Sequence, residues 1–247
     1  MIKIAVCGAC GKMGANIAEL LAGDGEAEYF CGIDPRGDNV KVYKTFKEIT
    51  EKPDVIIDFS SPAVLSDELE YAVKNNVPAV IGSTGFTPAQ LTEIDEAAKK
   101  VAIFRTANFS LGVNLLCQLV KRAAETLGEK FDIEIIEKHH NQKVDAPSGT
   151  ALMLADSASS AFDGGKNYLN GREGICGKRG NEIGIHAVRG GTIVGEHEVM
   201  FCGEDEIVTL SHSARSKKVF AAGAIKAAKW LAGKPAGLYN MGDLLGD

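Results

Sequence analysis

The fold of this chain is decided by the stretch Ile2-Lys3-Ile4-Ala5-Val6-Cys7-Gly8-Ala9-Cys10-Gly11-Lys12-Met13-Gly14. A mainly apolar run typical of a buried strand leads into glycines spaced G-x-x-G-x-x-G, and a helical pattern follows. In a strand, turn and helix of this order, the glycines let the backbone approach a pyrophosphate at the positive end of the helix. The spacing differs from the commoner G-x-G-x-x-G, and a glycine turn can also serve only to make the corner.

Asp34 strengthens the nucleotide interpretation. It lies at the end of the second predicted strand, 20 residues after Gly14, where a ribose-binding acid is expected. The alternative is that Asp34 belongs to an ordinary Asp-Pro turn before Pro35. Because position, strand context and residue type coincide, we predict a bound dinucleotide.

Short apolar runs alternate with helical segments over the first hundred or so residues. We predict strands that begin near Ile2, Glu28, Asp54, Pro78 and Val101, and helices over residues 12–22, 62–74 and 88–100. Strands joined by helices run parallel, and right-handed crossovers cover both faces of the sheet. The predicted fold class is therefore α/β, with a Rossmann-like doubly wound parallel sheet.

The pattern changes near Asn108. We predict helices over residues 111–127, 148–162 and 217–231, strands over 132–140, 182–189, 197–202 and 206–211, and a Gly-rich polar connection at 163–181. Strands in series predict a second, α+β domain on an antiparallel or mixed sheet. The last helix is assigned to the first domain, so we predict a dinucleotide-binding domain of residues 1–107 and 216–247, and a second domain of residues 108–215.

Composition excludes several classes of partner. The 247 residues include 27 Lys and Arg against 33 Asp and Glu, and the net charge of −6 gives no general attraction to nucleic acid or anionic lipid. No apolar stretch approaches the roughly 20 residues of a membrane span, and no secretory signal is recognised, so we expect a cytoplasmic protein. Several of the six cysteines lie in apolar runs, so no disulfide framework is expected.

Redox chemistry is a competing interpretation of the first loop. Cys7 and Cys10 form a C-x-x-C pair at a strand-to-helix turn, where thioredoxin-like dithiols also lie. Dithiol chemistry needs neither the flanking glycines nor Asp34, and Cys7 fits the apolar strand pattern. The dinucleotide site is therefore favoured, with dithiol catalysis as the alternative.

A second cluster of chemically active residues lies between Glu137 and Ala151. His139 and His140 are neighbours on a predicted strand and point to opposite faces, and Lys143 follows in the loop. Glu137 and His139 would be same-face metal ligands, but Lys143 opposes a cation and no further ligands complete a site, so no metal is predicted. Histidine instead suits proton transfer near neutral pH.

The segment Pro147-Ser148-Gly149-Thr150 is typical of a helix start. Its exposed amides can bind a carboxylate, although an ordinary N-cap gives the same pattern. Lys143 adds a positive charge nearby, and the combination suits an anionic small-molecule substrate. A solvated polar loop is the alternative.

The run from Glu137 to Ala151, with its core H-H-x-x-K-x-D-A-P-S-G-T-A, closely resembles the signature of the 4-hydroxy-tetrahydrodipicolinate reductases of bacterial lysine biosynthesis. The similarity spans nearly the entire chain. It also includes residues 6–14, 58–60, 82–86, 107–114 and 189–197.

This resemblance implies an NADH- or NADPH-dependent reduction of a cyclic imine dicarboxylate, in a cleft between a nucleotide domain and a mixed-sheet domain that also forms a homotetramer. It implies acid–base roles for His139 and Lys143, and substrate carboxylate contacts from His140, Lys143, Gly149 and Thr150. It implies pyrophosphate and ribose contacts from Gly8, Ala9, Cys10, Gly11, Lys12, Met13 and Asp34. On the nicotinamide side it implies contacts from Gly82, Ser83, Thr84, Thr106, Ala107, Asn108 and Phe109.

Two features depart from the family pattern. Some members have Arg directly after the ribose-binding acid, where this chain has Pro35 and then Arg36, and the connection at residues 163–181 is short.

A noncatalytic dinucleotide sensor is a further alternative, because the glycine loop and Asp34 would be enough for it to bind a dinucleotide. Such a sensor has no use for His139 and Lys143, so turnover separates the two functions.

Overall fold

The computed structural model describes residues 1–37 and 41–246. The chain divides into two compact units, one formed by Met1–Ser110 with Lys217–Asp247 and the other by Leu111–Ser216. The chain thus leaves the first unit once and returns to it for its last segment.

Twelve strands and seven α-helices are found within the described residues. The strands are β1 (Ile2–Cys7), β2 (Ala27–Ile33), β3 (Val42–Tyr43), β4 (Val55–Asp58), β5 (Ala79–Ile81), β6 (Ala102–Arg105), β7 (Asp132–His139), β8 (Asn167–Asn170), β9 (Glu182–Arg189), β10 (Gly195–Cys202), β11 (Ile207–Ala214) and β12 (Gly237–Tyr239). The helices are α1 (Lys12–Leu21), α2 (Leu65–Asn75), α3 (Pro88–Ala98), α4 (Leu111–Leu127), α5 (Gly149–Ser159), α6 (Lys218–Leu231) and α7 (Met241–Leu245).

The first unit contains a parallel sheet in the order β12-β6-β5-β4-β1-β2-β3. Its central strands are buried on both faces, as the completely buried Ile4, Val6 and Ile56 illustrate, because helices cover the sheet. The strand order changes direction between β1 and β4, which is where open α/β sheets place their ligands. This sheet confirms the predicted Rossmann-like fold.

The second unit contains a mixed sheet in the order β11-β10-β7-β9-β8. β10 is antiparallel to β7 and β11, whereas β9 is parallel to β7 and β8. Alternate residues of β7 are buried, and Ile133 and Ile135 pack in one core with residues of α4 and α5. Glu137 and His139 continue this buried face, so the apolar core ends in two polar side chains. The predicted α+β unit with a mixed sheet is confirmed.

Four short elements are absent from the sequence-based prediction. They are β3, β8, β12 and α7, of two to five residues each. The predicted polar connection at residues 163–181 contains β8, whose four residues are all exposed and so carry no apolar periodicity. Predicted bounds also shift: β7 ends at His139, so His140 lies beyond it, α5 ends at Ser159, and β11 continues to Ala214.

Glu68 is a buried acidic residue in the first unit. It lies on α2 with no exposed surface, and neither of its carboxyl oxygens has a hydrogen-bond partner among the described residues. Burial, with a further contribution from Asp58, raises the pKa of Glu68 well above its ordinary value of 4.5. Folding therefore favours the protonated, neutral form of Glu68.

We expect Glu68→Met to stabilise the protein by about 1–3 kcal/mol at neutral pH, because it removes an unsatisfied buried acid. In the unfolded chain Glu68 ionises above its ordinary pKa, so its contribution to the free energy of unfolding is fully present below that pKa and is lost as the pH rises toward the raised folded value. The gain in urea denaturation should therefore increase as the pH rises above the ordinary pKa of a glutamate. Glu70→Met, an exposed change on the same helix, is the control. An equal, pH-independent gain in both variants would contradict this account.

No α-helix in the described part of the chain is long and apolar enough to cross a membrane.

Candidate active site

The glycine loop between β1 and α1 is held by close backbone contacts. Gly8 has φ +82°, in the left-handed region, and a Cβ there would lie 2.6 Å from the carbonyl oxygen of Phe59. A Cβ on Gly14 would lie 2.5 Å from the carbonyl oxygen of Gly8. Glycine is therefore required at both positions, first to turn the chain and then to bring α1 against the turn.

The start of α1 has the donors that an anion requires. Gly11 is the N-cap, and no side chain caps the helix. The first amides of a helix have no intrahelical acceptor, so those of Lys12 and Met13 can donate to an anion at the positive end of the helix dipole. The exposed Lys12 side chain adds a positive charge. These groups fit the pyrophosphate of a dinucleotide.

Asp34 lies next to this loop and is ionised. Its Oδ2 accepts a hydrogen bond from the Cys10 amide at 3.1 Å, and the Arg36 guanidinium binds both carboxylate oxygens at 2.9 and 3.0 Å. These hydrogen bonds, that of Arg36 foremost, lower the pKa of Asp34 to about 2. Asp34 is only 3% exposed, whereas the Arg36 side chain is 67% exposed. The Arg36 side chain is therefore accessible to a ligand, whereas Asp34 is enclosed by protein groups.

A cavity of about 490 Å³ lies beside the loop. Its lining includes Gly8, Gly11, Asp34, Phe46 and Ser60. This volume is within the range of small-molecule sites, and the acid at its edge suits a ribose hydroxyl.

The loops that follow β5 and β6 meet the loop that follows β4. A Cβ on Gly82 would lie 2.6 Å from the Phe59 ring, and the Phe59 and Phe109 rings lie edge to face, 5.4 Å apart. Asn108 closes its own turn, because its Oδ1 accepts from the Ser110 amide at 2.8 Å. The segments at residues 82–84 and 106–109 thus lie with the glycine loop at the carboxyl edge of the sheet, with Ser83 and Thr106 half-buried and Thr84 and Ala107 exposed.

The dithiol alternative is disfavoured by the position of Cys7. Cys7 is buried in β1, and Cys10 is exposed. Burial raises the pKa of the Cys7 thiol far above its ordinary value, with smaller contributions from the carboxyls of Glu68 and Asp58. Because thiolates carry out dithiol chemistry, the structure supports the interpretation of Cys7 as a core residue.

In the second unit, Glu137 and His139 form a buried pair at the end of β7. His139 Nδ1 lies 2.6 Å from Glu137 Oε2. Arg189, opposite His139 in the parallel pairing with β9, donates to both oxygens of Glu137 at 2.8 Å. The guanidinium therefore lies against Glu137, the carboxylate that a metal site would use.

Lys143 lies in the loop after β7. Its Nζ contacts both carboxylate oxygens of Asp145 at 2.8 Å, and its side chain is half-buried. The backbone carbonyl of Asp145 accepts a hydrogen bond from Arg189 Nη2 at 2.7 Å. Asp145 thus connects Lys143, through its carboxylate, with Arg189, through its backbone carbonyl.

The start of α5 is tied to the same carboxylate. The amide of Ser148, the N-cap of α5, donates to Glu137 Oε1 at 3.0 Å, and Ser148 Oγ accepts from the Ala151 amide. Gly149 is exposed and Thr150 half-buried in the first turn of this helix. His139, Lys143 and the first turn of α5 are thus linked through Glu137 and Arg189, and the half-buried His140 follows β7 directly.

His197 completes this buried polar group. Its Nε2 lies 3.0 Å from Ser148 Oγ, and its ring lies edge to face with His139 at 5.2 Å. Burial, with a smaller contribution from the neighbouring His139, lowers the pKa of His197 to about 4. His197 is therefore a neutral ring near pH 7.

Sequence reasoning missed Arg189 and His197, and it considered Glu137 only as a metal ligand. Arg189 and His197 are the first and last residues of one segment that resembles the reductase family. This resemblance was the only feature of the sequence that could have indicated a role for them. Within residues 1–37 and 41–246 no group of three or more His, Cys, Asp or Glu side chains is placed to hold a metal ion.

A nucleotide-binding parallel sheet, joined in one chain to a unit that carries His139, Lys143 and the start of α5, is typical of dinucleotide-dependent oxidoreductases. Residues 2–109 match the family described as dihydrodipicolinate reductase, N-terminus, and residues 112–245 match its C-terminus. The chain belongs to the dihydrodipicolinate reductase family.

Full-length relatives agree with this assignment. The chain is 49% identical over 248 residues to the 4-hydroxy-tetrahydrodipicolinate reductase of Caldanaerobacter subterraneus subsp. tengcongensis, covering 99% of this chain and 98% of the relative. It is 46% identical over 248 residues to the enzyme of the same name from Clostridium novyi, with the same coverage. A solved structure of dipicolinate-bound dihydrodipicolinate reductase from Paenisporosarcina sp. TG-14 is similar, with a TM-score of 0.81, 28% identity and 97% of each chain covered.

Proposed function

We propose that this protein reduces 4-hydroxy-tetrahydrodipicolinate, through the cyclic imine left by loss of water, to tetrahydrodipicolinate in the diaminopimelate route to lysine. One observation carries the proposal: Glu137 and Arg189 link His139, Lys143 and the first turn of α5. This arrangement combines proton transfer with anion binding, and it occurs in a chain of the dihydrodipicolinate reductase family.

His139 and Lys143 carry out the acid–base chemistry in this proposal. Bound NADH or NADPH supplies the hydride. Hydride addition to the conjugated imine ring places negative charge on the nitrogen, which must then receive a proton. His139 is held through Nδ1 and so has Nε2 for proton transfer, while the positive charge of Lys143 stabilises the charge that develops.

The substrate carboxylates are assigned to the loop and the helix that follow β7. The amides of the first turn of α5, at Gly149 and Thr150, lie at the positive end of the helix and suit one carboxylate. His140 and Lys143 add donors from the preceding loop. The relative from Paenisporosarcina sp. TG-14 was solved with dipicolinate, a planar dicarboxylate, which supports this ligand class.

The first unit is assigned to NADH or NADPH. Gly8, Ala9, Cys10, Gly11, Lys12 and Met13 would hold the pyrophosphate, and Asp34 the adenosine ribose. Residues 82–84 and 106–109 would line the nicotinamide side. The uncapped start of α1 and the ionised Asp34 support this assignment.

Arg36 is expected to decide how well NADPH is used. Asp34 can accept hydrogen bonds from ribose hydroxyls, but it repels a 2′-phosphate unless a cation compensates. We expect the wild-type protein to use NADH at least as well as NADPH, and Arg36→Ala to lower kcat/KM for NADPH by about tenfold or more while changing that for NADH less. Specificity constants measured with both cofactors test this. A strong NADPH preference that survives Arg36→Ala would contradict the electrostatic argument.

We also propose a cytoplasmic homotetramer that assembles through the second unit. The face of its sheet opposite α4 and α5 exposes apolar side chains, including Val188 on β9 and Ile207 on β11, which are 43% and 60% exposed. Six free cysteines suit a reducing compartment. Sedimentation equilibrium would test the assembly, and a monomer at micromolar concentration would contradict it.

Turnover is the test of the proposed function. The substrate is generated freshly by condensing pyruvate with aspartate semialdehyde, and NADH oxidation is followed with and without the protein. We expect protein-dependent oxidation that requires both precursors, with pyridine-2,6-dicarboxylate as a competitive inhibitor. NADH binding without turnover would indicate a dinucleotide sensor. Activity that needs Cys7 or Cys10 but not His139 would indicate dithiol chemistry.

A further inference from the structure

Glu137 contacts three separate parts of the candidate site: His139 on its own strand, the start of α5 and Arg189 on β9. Its side chain has no exposed surface, so it is placed among protein groups. Its two oxygens contact Nδ1 of His139, the amide of Ser148 and both terminal nitrogens of Arg189, all at 2.6–3.0 Å. A buried carboxylate with these partners can orient the neighbouring side chains but cannot itself reach a substrate.

We propose that Glu137 and Arg189 are positioning residues: Glu137 fixes the tautomer of His139 in which Nδ1 carries the hydrogen and Nε2 faces the substrate, and Arg189 keeps Glu137 ionised. The inference rests on the proposed function. It adds two residues that act through His139 without touching the substrate.

The charge of Glu137 is the first step of the argument. Burial alone would raise the pKa of Glu137, but hydrogen bonds from Arg189 and His139 outweigh it and lower the pKa below its ordinary value. An ionised carboxylate can only accept hydrogen bonds. The Nδ1 atom that lies 2.6 Å from Glu137 Oε2 must therefore carry a hydrogen.

The second step concerns the other ring nitrogen. A neutral imidazole has one N–H, so a hydrogen on Nδ1 leaves Nε2 able to take up a proton from solvent and then to pass it to the imine nitrogen when hydride adds to the ring. A Cβ at position 195 would lie 3.1 Å from His139 Nε2, so Gly195 keeps this nitrogen clear of a side chain. The Glu137 contact and Gly195 thus favour the same nitrogen for proton transfer.

The third step concerns Arg189. Its two terminal nitrogens bind both oxygens of Glu137, and Nη2 also donates to the carbonyl of Asp145, whose side chain contacts Lys143. A fork that binds a carboxylate in two places fixes orientation as well as charge. Arg189 therefore orients Glu137 and the loop of Lys143 together.

Glu137→Gln is the test, because it keeps the shape and removes the charge. A glutamine side chain can donate or accept at Nδ1, so the tautomer of His139 should become mixed. The ¹⁵N shifts of the ring nitrogens report the tautomer directly, and the spectrum of His139→Ala identifies the signals among those of the five histidines. We expect one Nδ1–H form in the wild type and two forms in the variant. We also expect kcat to fall by about 10²-fold, with KM and NADH affinity changed by less than about threefold.

The chain offers a matched control on the same strand. Glu134 also lies on β7, binds Arg172 and Arg179, and contacts His186 Nε2 at 2.7 Å. Glu134→Gln should alter the signals of His186 and leave those of His139, and kcat, unchanged. If Glu137→Gln does not fold, the double variant Glu137→Gln with Arg189→Gln removes both charges of the pair and has the same expected result.

The inference is overturned if folded Glu137→Gln, or the double variant, keeps a single Nδ1–H form of His139 or retains wild-type kcat. The tautomer measurement needs no substrate. If the wild-type protein fails to reduce the proposed substrate, the proposed function fails, while the ring-nitrogen shifts still decide whether Glu137 sets the tautomer.

Discussion

Replacing His139 with alanine is expected to lower kcat by about 10²–10⁴-fold, the usual range for a positioned acid or base. The imine nitrogen needs a proton as hydride adds to the ring, and the imidazole held by Glu137 is placed to supply one. NADH affinity should stay nearly unchanged, because the groups assigned to the cofactor belong to the other unit. Steady-state kinetics at saturating substrate, with NADH binding measured by fluorescence, checks both expectations.

The control for this prediction is His186→Ala. His186 also contacts a carboxylate, that of Glu134, on a strand of the same sheet. It lies outside the assigned site, so its loss should leave kcat close to the wild-type value. Near-normal kcat in folded His139→Ala would remove His139 from the chemical step.

Lys143→Ala is expected to reduce kcat by about 10²–10⁴-fold as well, and in addition to raise KM. The ammonium group stabilises the charge that develops and also attracts a substrate carboxylate, so its loss affects both binding and chemistry. His139→Ala, in contrast, should affect mainly kcat. Substrate saturation curves for the two variants separate these patterns.

Lys138→Ala is the matched control for Lys143. Lys138 is next to His139 in sequence and pairs with Glu196 at 3.5 Å on partly exposed side chains. A surface pair of this kind contributes little, so the variant should behave like the wild type. If Lys138→Ala and Lys143→Ala change KM equally, a general loss of positive charge explains the result, and the specific role of Lys143 is wrong.

The parallel sheet could be predicted from sequence because its strands are continuous apolar runs separated by regular helices. β1, β4 and β5 are buried on both faces, so nearly every residue carries the signal. β8 carries none, since its four residues are exposed and it is defined by pairing with β9 alone. The local sequence pattern therefore predicts strands whose residues are apolar because they are buried. It does not predict a strand that is defined only by backbone pairing.

Some residues of the candidate site could likewise be predicted from the sequence, whereas others required the structure. His139, Lys143 and the start of α5 lie within one short stretch, so they could be proposed as site residues from residue types and spacing. The contact between Glu137 and Arg189 joins residues 52 positions apart. It depends on the register that places Arg189 opposite His139, which is a property of the folded sheet. The partners that position His139 therefore required the structure.

The most direct measurement of the central claim is the fate of deuterium from NADH that carries deuterium at both C4 positions. The protein is incubated with this cofactor and the freshly formed condensation product of pyruvate and aspartate semialdehyde, and the product is analysed by mass spectrometry. The account predicts one carbon-bound deuterium in tetrahydrodipicolinate for each NADH oxidised, with formation of this product strongly reduced in His139→Ala and Lys143→Ala. Oxidation of NADH without deuterium in the product, or equal product formation by the wild type and both variants, would contradict it.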